Sequence, residues 1–465
     1  MVVITIMDGI KKIAHLYARA GFGLRFADLQ QAQHLTVKQT TDQLFKASGE
    51  IRQLNVVATN SSYKDADDAL TKKMFLQQQR QLEKDLNIAW VTQMSSGDSQ
   101  LREKMTLFWH NHFACRTQNP WYAQQLNNIH REHALGNFRT MLLQVSQAPA
   151  MLQFLNNQQN KKGHPNENFA RELMELFTIG RGNYTEQDIK ESARAFTGWG
   201  FNNNGEFAER KFLHDAGPKT FMGKSGNFTG ADIIDTLLQK KETANFICTK
   251  LYKYLVNDTP DPKHINTMAD VFYNSNYEIT PVLKLIFTAD WFYADKNIGN
   301  IIKSPVDFIV GLSRQFYVDY KNPDVLLQFQ RTLGQVLFNP PNVAGWPGGK
   351  SWIDSSSLMY RIKIPSTVLS DGVIDFKGKT DPEDEAVLAA IPNTNARKDV
   401  NTPAQSQPNW DDFLAAIPPG TSKAAIAHVL LATPISNNLM QMINKATNIK
   451  AMAIELVSTP EYQLC

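Results

Sequence analysis

Apolar residues recur at intervals of three and four along most of this chain, and this spacing constrains its fold more than any other feature. Met105, Phe108 and Trp109 follow the pattern, which extends over residues 27–155 and returns over residues 231–335. Such spacing places apolar side chains on one face of a helix. The sequence therefore predicts a mainly α-helical protein built from many helices.

Two segments interrupt this pattern. Residues 201–230 are rich in Gly and Asn with short aromatic runs, which predicts a small β-hairpin or an ordered irregular segment. Residues 339–350 contain three prolines and three glycines, which exclude a regular helix and predict a shaped loop. Between residues 163 and 200, Thr185-Glu186-Gln187-Asp188 is expected to cap a helix that runs to Thr197 and ends before Gly198-Trp199-Gly200.

The length and composition indicate one well-packed globular unit. With 465 residues, of which 42% are hydrophobic and 20% charged, the chain can bury a large core. We expect a single domain over residues 1–465, which can be divided into N-terminal helices (1–160), a central helical part (161–365), an insertion (366–409) and C-terminal helices (410–465). The insertion is predicted to be flexible because most of residues 377–408 are polar and rich in Pro, Asn and Asp.

The charge and cysteine content exclude several classes of protein. The net charge is only +3 and no segment concentrates Lys and Arg, so nucleic acid is not an expected partner. Cys115, Cys248 and Cys465 are too widely spaced to predict a disulfide framework or a thiolate zinc site. No apolar run approaches the roughly 20 residues of a transmembrane helix. Met1–Ile6 lacks the features of a secretory signal, which predicts a cytoplasmic location.

Two histidines lie at the end of an apolar helix in Trp109-His110-Asn111-His112. Residues two apart on a helix face different directions, so His110 and His112 can converge only where the helix ends or unwinds. If they converge, they are candidates for a metal site or for proton transfer, since neutral imidazole is a common metal ligand and titrates near neutral pH. The alternative is that both are buried and bonded to carbonyl groups.

The helix Asn166–Phe177 carries a polar stripe beside an apolar one. Asn168, Glu172 and Glu175 are spaced i, i+4 and i+7 and share a face, and Arg171 is spaced to pair with Glu175. Facing inward, the stripe predicts a site for a hard metal ion or a polar substrate, with Arg194 of the next helix as a counter-charge. Facing water, it is an ordinary solvated surface.

Further candidates lie in irregular segments. His214-Asp215 stands in the non-helical region, where Asp215 either orients the imidazole or caps the turn at Gly217-Pro218. Trp199 and Trp346 lie in two similar glycine turns, and an exposed indole there would stack on a planar or apolar ligand. Gly21-Phe22-Gly23 is too short to be a phosphate-binding loop.

These motifs together resemble a large bacterial family, the domain of unknown function 1800 family. The matching motifs are His15-Leu16-Tyr17, Arg19-Ala20-Gly21-Phe22-Gly23, Phe108-Trp109-His110-Asn111-His112-Phe113, Asn166–Phe177, Ala193-Arg194-Ala195-Phe196-Thr197-Gly198-Trp199, His214-Asp215, Leu333-Gly334-Gln335 and Pro340-Pro341-Asn342-Val343-Ala344-Gly345-Trp346. The resemblance covers nearly the whole chain and implies a mainly helical fold without an established activity. The resemblance also implies that many relatives are exported and that, in several genomes, they are encoded beside a sulfatase-like partner family, whereas this sequence shows no export signal.

Two hypotheses of function follow. In the first, the chain is a metal-dependent hydrolase-like enzyme that uses a divalent metal. Its catalytic residues would be His110, His112, Glu172, Glu175 and His214, its metal ligands His110, His112 and Glu172, and its substrate-binding residues Asn111, Asn168, Arg171, Arg194, Trp199, Asp215 and Trp346.

In the second hypothesis, the chain is a non-catalytic binding or assembly protein that partners a sulfatase-like hydrolase. Trp199, Trp346 and the insertion around residues 377–408 would then form contact surfaces. The polar residues would form a buried network that fixes the core, and such a network requires that its members be hydrogen-bonded.

Overall fold

The structure is a computed structural model, and it describes residues 2–60, 69–370, 373–374 and 404–465. It confirms the prediction of a mainly helical fold. The helices of the first third are α1 (Val2–Ala20), α2 (Phe26–Ala32), α3 (Val37–Ala47), α4 (Ala69–Ser96), α5 (Gln100–His112), α6 (Pro120–His133), α7 (Phe138–Gln147) and α8 (Pro149–Phe154). None of the described helices is long and apolar enough to cross a bilayer.

The remaining helices continue the same architecture. They are α9 (Asn168–Glu172), α10 (Glu186–Ala195), α11 (Gly230–Leu238), α12 (Lys241–Leu255), α13 (Pro262–Asn274), α14 (Ile279–Thr288), α15 (Pro305–Gln315), α16 (Asp324–Leu333), α17 (Ser355–Leu369), α18 (Trp410–Ala415), α19 (Lys423–Leu430), α20 (Asn437–Lys445) and α21 (Ile449–Val457). A π-helix, Leu173–Thr178, directly follows α9. The predicted cap of α10 is confirmed, since Thr185 and Asp188 form a reciprocal capping box. The helix ends at Ala195, two residues earlier than predicted.

Short antiparallel strands interrupt the helices. They are β1 (Trp199–Phe201), β2 (Phe207–Glu209), β3 (Lys219–Phe221), β4 (Lys224–Gly226), β5 (Val318–Tyr320), β6 (Val373–Ile374) and β7 (Ala404–Pro408). The predicted hairpin region contains two hairpins, β1–β2 and β3–β4, separated by the 3-10 turn Lys211–Leu213. The predicted loop at 339–350 is irregular up to the 3-10 turn Gly349–Trp352.

The predicted flexible insertion requires a correction at its ends. Residues 366–369 belong to α17, and β7 pairs with both β6 and β5 in a three-stranded sheet. The polar composition did not predict that these residues form regular structure. One of the polar residues, Ser406, is buried and donates its hydroxyl to the Val368 carbonyl at 2.8 Å. Residues 371–372 and 375–403 lie outside the described residues.

Helix α5 runs through the interior, and apart from Asn111 all of its residues are buried. Its polar side chains therefore need partners inside the protein. Glu103 forms an ion pair with Arg131 of α6 at 2.8 Å and accepts a hydrogen bond from the Trp90 indole of α4, also at 2.8 Å. Trp109 donates to the Ala134 carbonyl at 3.2 Å. These contacts fix α5 against α4 and α6 and set the direction of its last turn, which carries the predicted histidines.

Candidate functional site

His110 is a buried link between α5 and the loop after α16. Its side chain is packed against Trp90 and Trp346, with ring centroids 5.0 and 5.6 Å away. Its Nε2 accepts a hydrogen bond from the Phe338 backbone N–H at 3.1 Å, so in the neutral ring the proton is on Nδ1. Burial, with a smaller effect from the positive charge of Arg131, lowers the pKa of His110 to about 3. The imidazole is therefore neutral at physiological pH.

Asn111 holds the other end of the same loop. Its side-chain oxygen accepts a hydrogen bond from the Trp346 backbone N–H at 2.8 Å. Gly345, with φ at +82°, brings its backbone directly against Asn111, where a Cβ would collide with the amide oxygen. His110 and Asn111 thus clamp residues 338–346 at both ends. We call this arrangement, together with His112, the histidine brace.

His112 connects α5 to the π-helix. Its Nε2 lies 3.1 Å from the Phe177 carbonyl and donates to it, so Nδ1 is free to accept from the Lys250 ammonium, also at 3.1 Å. Burial, followed by the charge of Lys250, lowers the pKa of His112 well below its usual value. Burial also lowers the pKa of Lys250 to about 8, and its ammonium donates to the Leu176 carbonyl at 2.9 Å. Both ring nitrogens of His112 are occupied.

The two histidines therefore face different partners. Although α5 ends at His112, its helical geometry holds through that residue, so the two side chains keep different directions. His110 bonds to the loop after α16, whereas His112 bonds to the π-helix and α12. Across the described part of the chain, no group of three His, Cys, Asp or Glu side chains is arranged to hold a metal ion. The predicted alternative, a buried imidazole bonded to a carbonyl group, is confirmed for His112. His110 is also buried, but its ring accepts a hydrogen bond from a backbone N–H instead.

The predicted polar stripe Asn168, Glu172 and Glu175 does not face inward. Asn168 is exposed, and both carboxylates are only partly buried. The helix changes at Leu173 from α to π geometry, which has a longer turn, so the i, i+4, i+7 spacing does not hold across it. The prediction that this stripe lines an interior pocket is wrong for Asn168. Short π-helical segments occur often at functional sites, so the surface itself stays a candidate.

The ion pairs of this surface also differ from the predicted ones. Arg171 pairs with Glu186 at 2.9 Å and Glu167 at 3.3 Å, not with Glu175. Glu175 instead meets Arg181 and accepts from the Tyr184 hydroxyl at 3.1 Å. The π turn displaces Glu175 from the position that an α-helix would give it, which accounts for the change of partner.

Glu172, on this surface, has a shifted pKa. Partial burial, followed by the charge of Glu175, raises the pKa of Glu172. No hydrogen bond joins its side chain to another described residue, although Arg171 and Arg181 are close enough to oppose the rise. Carboxyl groups with raised pKa values often act as acids or bases in enzymes. Crowded carboxyl groups without a catalytic role have raised pKa values too.

His214 and Asp215 form part of a separate network around α10. The His214 Nδ1 donates to the Thr197 carbonyl at 2.9 Å. Asp215 accepts from the Arg194 Nε at 2.8 Å and from the Gly217 backbone N–H at 2.9 Å. Asp215 therefore caps the turn, as one alternative predicted, and does not orient His214. The predicted pairing of Arg194 with Glu172 or Glu175 is wrong, because Arg194 bonds to Asp215 and Glu191.

The two tryptophans are not exposed stacking surfaces. Trp199 is 3% exposed and Trp346 is 5% exposed. Trp199 packs edge-on against Phe196 and Phe207, and Trp346 packs against His110. The prediction that they are accessible contacts for a substrate or a partner is therefore wrong. A buried indole ring stabilises the fold more than an exposed one does, because its apolar surface is removed from water.

Several residues that complete these networks were missed from the sequence. Lys250, Phe338 and Thr197 bond to His112, His110 and His214 from elements that the sequence does not link to them. The backbone of Phe338, at φ +67°, offers no side-chain signal at all. Lys250 had one available signal, since it stands four residues after Phe246 on the same helix face, and its ammonium lies 4.7 Å from the centroid of that ring.

A glycine substitution tests the clamp on residues 338–346. Gly345→Ala is expected to lower the free energy of unfolding by about 1–3 kcal/mol, because the new Cβ meets Asn111 and the residue keeps a positive φ. Gly348→Ala is the matched control, since φ there is −95° and its Cβ would meet nothing within 4 Å. Chemical denaturation of both variants is the measurement. Equal stability of the two would contradict the clamp.

The protein is thus mainly helical, and the side chains of the histidine brace form hydrogen bonds with its own main chain. The chain belongs to the family described as "Protein of unknown function (DUF1800)", whose model matches residues 15–464. No curated protein and no solved structure matches the chain significantly.

Proposed function

We propose that this protein is a non-catalytic binding or assembly protein and that the histidine brace has a structural role in it. The observation that carries the proposal is Phe212, whose side chain is 81% exposed, more than any other large apolar side chain among the described residues. Exposed aromatic side chains are frequent anchors of protein interfaces. The engagement of His110 and His112 with the main chain supports the same proposal, because it leaves them few means of chemistry.

The turn that carries Phe212 is fixed from both sides. The Leu213 carbonyl accepts from the Lys162 backbone N–H at 2.8 Å, and Leu213 N–H donates to the Arg210 carbonyl, also at 2.8 Å. The Arg210 guanidinium donates to the Gln158 carbonyl at 2.8 Å. A fixed turn loses little conformational entropy when its side chain is bound.

The charge around Phe212 supports a partner with an acidic surface. The side chains of Lys161, Lys162 and Lys211 are all exposed near this turn. A complementary surface would carry an apolar pocket for the phenyl ring with acidic groups around it. The partner that the family resemblance suggests is a sulfatase-like hydrolase, and we propose a protein of that class.

Co-expression with a sulfatase-like hydrolase from the same organism tests the proposal. We expect a complex that survives size-exclusion chromatography, and Phe212→Ser is expected to weaken it by about 2 kcal/mol or more, as loss of an interface anchor does. Met359→Ser is the control, since Met359 is also exposed, at 71%, but lies on α17. No complex with the unmodified chain, or equal loss in both variants, would contradict the proposal.

A metal-dependent hydrolase is the second candidate, and two observations favour it. The raised pKa of Glu172 is one, and the other is His214, whose Nε2 bonds to no described residue and is a free acceptor when Nδ1 carries the proton. Elemental analysis of the purified protein beside Glu172→Ala and His214→Ala variants tests this candidate. Stoichiometric metal that both variants lose, with the fold retained, would favour it over the binding role.

A further inference from the structure

A second polar cluster lies away from the histidine brace, around a cavity between α1, α5 and α15. The cavity is small and opens to solvent, and the empty space in and around it, solvent included, is about 350 Å³. Its wall contains Lys104, Lys303 and Asp307, with apolar residues of the last helices on the other side. The turn Gly21-Phe22-Gly23 also lines it. None of the sequence hypotheses assigned these polar residues a role.

One of the two lysines in the wall is already neutralised. The Lys104 ammonium lies 2.6 Å from an Asp307 oxygen, and Lys104 is 3% exposed. The other oxygen of Asp307 accepts from the Ser304 hydroxyl at 2.8 Å as part of the cap of α15. Asp307 therefore has its charge matched by Lys104 and its lone pairs used by the helix cap.

Lys303 has no such partner. Its ammonium makes no hydrogen bond to any described residue and lies 3.7 Å from the centroid of the Tyr462 ring. Burial lowers the pKa of Lys303 to about 8, and the nearby Asp307 carboxylate opposes this shift. A lysine in this position is a positive charge that faces a cavity and lacks an acceptor.

Two buried arginines with unused donors lie behind this wall, although neither of them lines the cavity. Arg19 is 1% exposed, and its Nη2 donates to Asn297 and Asn300 while Nε and Nη1 have no partner among the described residues. Arg361 is fully buried, and its Nη1 donates to the Lys303 carbonyl at 3.1 Å while Nε and Nη2 have no described partner. Buried charged donors without acceptors are costly, so they indicate an acceptor that belongs there.

The cluster therefore has an excess of positive charge. Four cationic side chains, those of Arg19, Lys104, Lys303 and Arg361, stand against two carboxylates, Asp307 and, on the Arg19 side, Asp258. The N-terminus of α15 begins at Pro305, beside Lys303, and adds the positive end of a helix dipole. These two carboxylates match only two of the four positive charges.

We propose that this cavity binds a small oxyanion, either free phosphate or sulfate or the same group on a small ligand. Lysine ammonium groups bind phosphate as point charges, and the two arginines behind the wall add to the positive charge that attracts it. The backbone of Gly21-Phe22-Gly23 does not bind the anion as a phosphate loop would, because the N–H groups of Gly21 and Gly23 both donate to the Tyr17 carbonyl. Side chains carry the recognition. This inference is independent of the binding role of Phe212.

Isothermal titration calorimetry of the full chain tests the proposal. The titrants are sodium phosphate, sodium sulfate and glycerol 3-phosphate, with sodium chloride at matched ionic strength as the blank. We expect saturable binding of one anion per chain. Lys303→Gln is expected to weaken it about tenfold or more, as loss of a charged contact does. Lys253→Gln is the control, because Lys253 is exposed on α12.

A second variant leaves every charge in place. Ala432 lines the cavity, and Ala432→Leu is expected to narrow it and weaken binding about tenfold or more. Tighter binding of glycerol 3-phosphate than of phosphate would support a ligand-borne group, and the reverse would support the free anion. No saturable heat beyond chloride would overturn the proposal, as would unchanged affinity in both the Lys303 and Ala432 variants.

Discussion

Lowering the pH from 7 to 5 is expected to destabilise this protein strongly, because it buries several imidazoles in the neutral form. Burial is the main cause of the lowered pKa values of His15, His110, His112 and His130. Such a group binds its proton only after unfolding, so the unfolded state gains stability as the pH falls below the unfolded value of 6.5. For His110 the loss continues down to its folded pKa of about 3.

The expected size follows from linkage. Each imidazole contributes about 1.4 kcal/mol per pH unit below 6.5, or about 2 kcal/mol at pH 5. Four such groups approach about 8 kcal/mol, which is comparable with the total stability of a typical domain. Urea denaturation at pH 7 and pH 5 measures the difference. A free energy of unfolding that is the same at both pH values would contradict the assignment of neutral buried imidazoles.

One variant separates the histidines from the carboxylates in this experiment. His130 is fully buried, and both of its ring nitrogens lack a hydrogen-bond partner among the described residues. His130→Phe should therefore reduce the pH dependence by about 2 kcal/mol between pH 7 and 5. His34→Gln, at an exposed position, should leave it unchanged.

Loss of the Glu103 carboxylate is expected to have the largest effect of any single substitution. Its two oxygens accept from Arg131 at 2.8 and 3.1 Å, from the Trp90 indole at 2.8 Å and from the Gln93 amide at 2.9 Å. Glu103→Ala leaves the fully buried Arg131 charge without its counter-ion. Breaking a buried pair in this way costs about 3–5 kcal/mol.

The controls isolate the charge from the shape. Glu103→Gln keeps the size and some hydrogen bonds but still leaves Arg131 unpaired, so it is expected to lose most of the same stability. Glu132→Ala removes an exposed carboxylate from the same region and is expected to change stability by less than about 0.5 kcal/mol. Chemical denaturation measures all three. A loss below about 1 kcal/mol for Glu103→Ala would contradict the role of this pair in fixing α5.

The sequence was sufficient to predict features that depend on neighbouring residues. The helical periodicity of Met105, Phe108 and Trp109 and the capping box at Thr185 and Asp188 are both local, and both are present. The hairpins at 201–230 follow from local turn residues in the same way. Local patterns are predictable because the interacting residues stand at fixed spacings along the chain.

The candidate site was less predictable because its bonds join distant segments. The partner of His110 is a backbone N–H 228 residues away, and no side-chain pattern marks it. The π turn after Glu172 altered a spacing that assumed 3.6 residues per turn, so Glu175 bonds to Arg181 and not to Arg171. Trp346 is buried by His110, which the glycine turn around it does not reveal.

The central claim is that His110 and His112 are neutral structural groups whose ring nitrogens hold the backbone and its neighbours. Nitrogen NMR of imidazole-labelled protein between pH 7 and 6, with and without zinc, tests it most directly. We expect the Nδ1–H form for His110 and the Nε2–H form for His112, with neither signal moving on acidification or on addition of zinc. Titration of either ring near pH 6–7, or a zinc-induced shift, would contradict it.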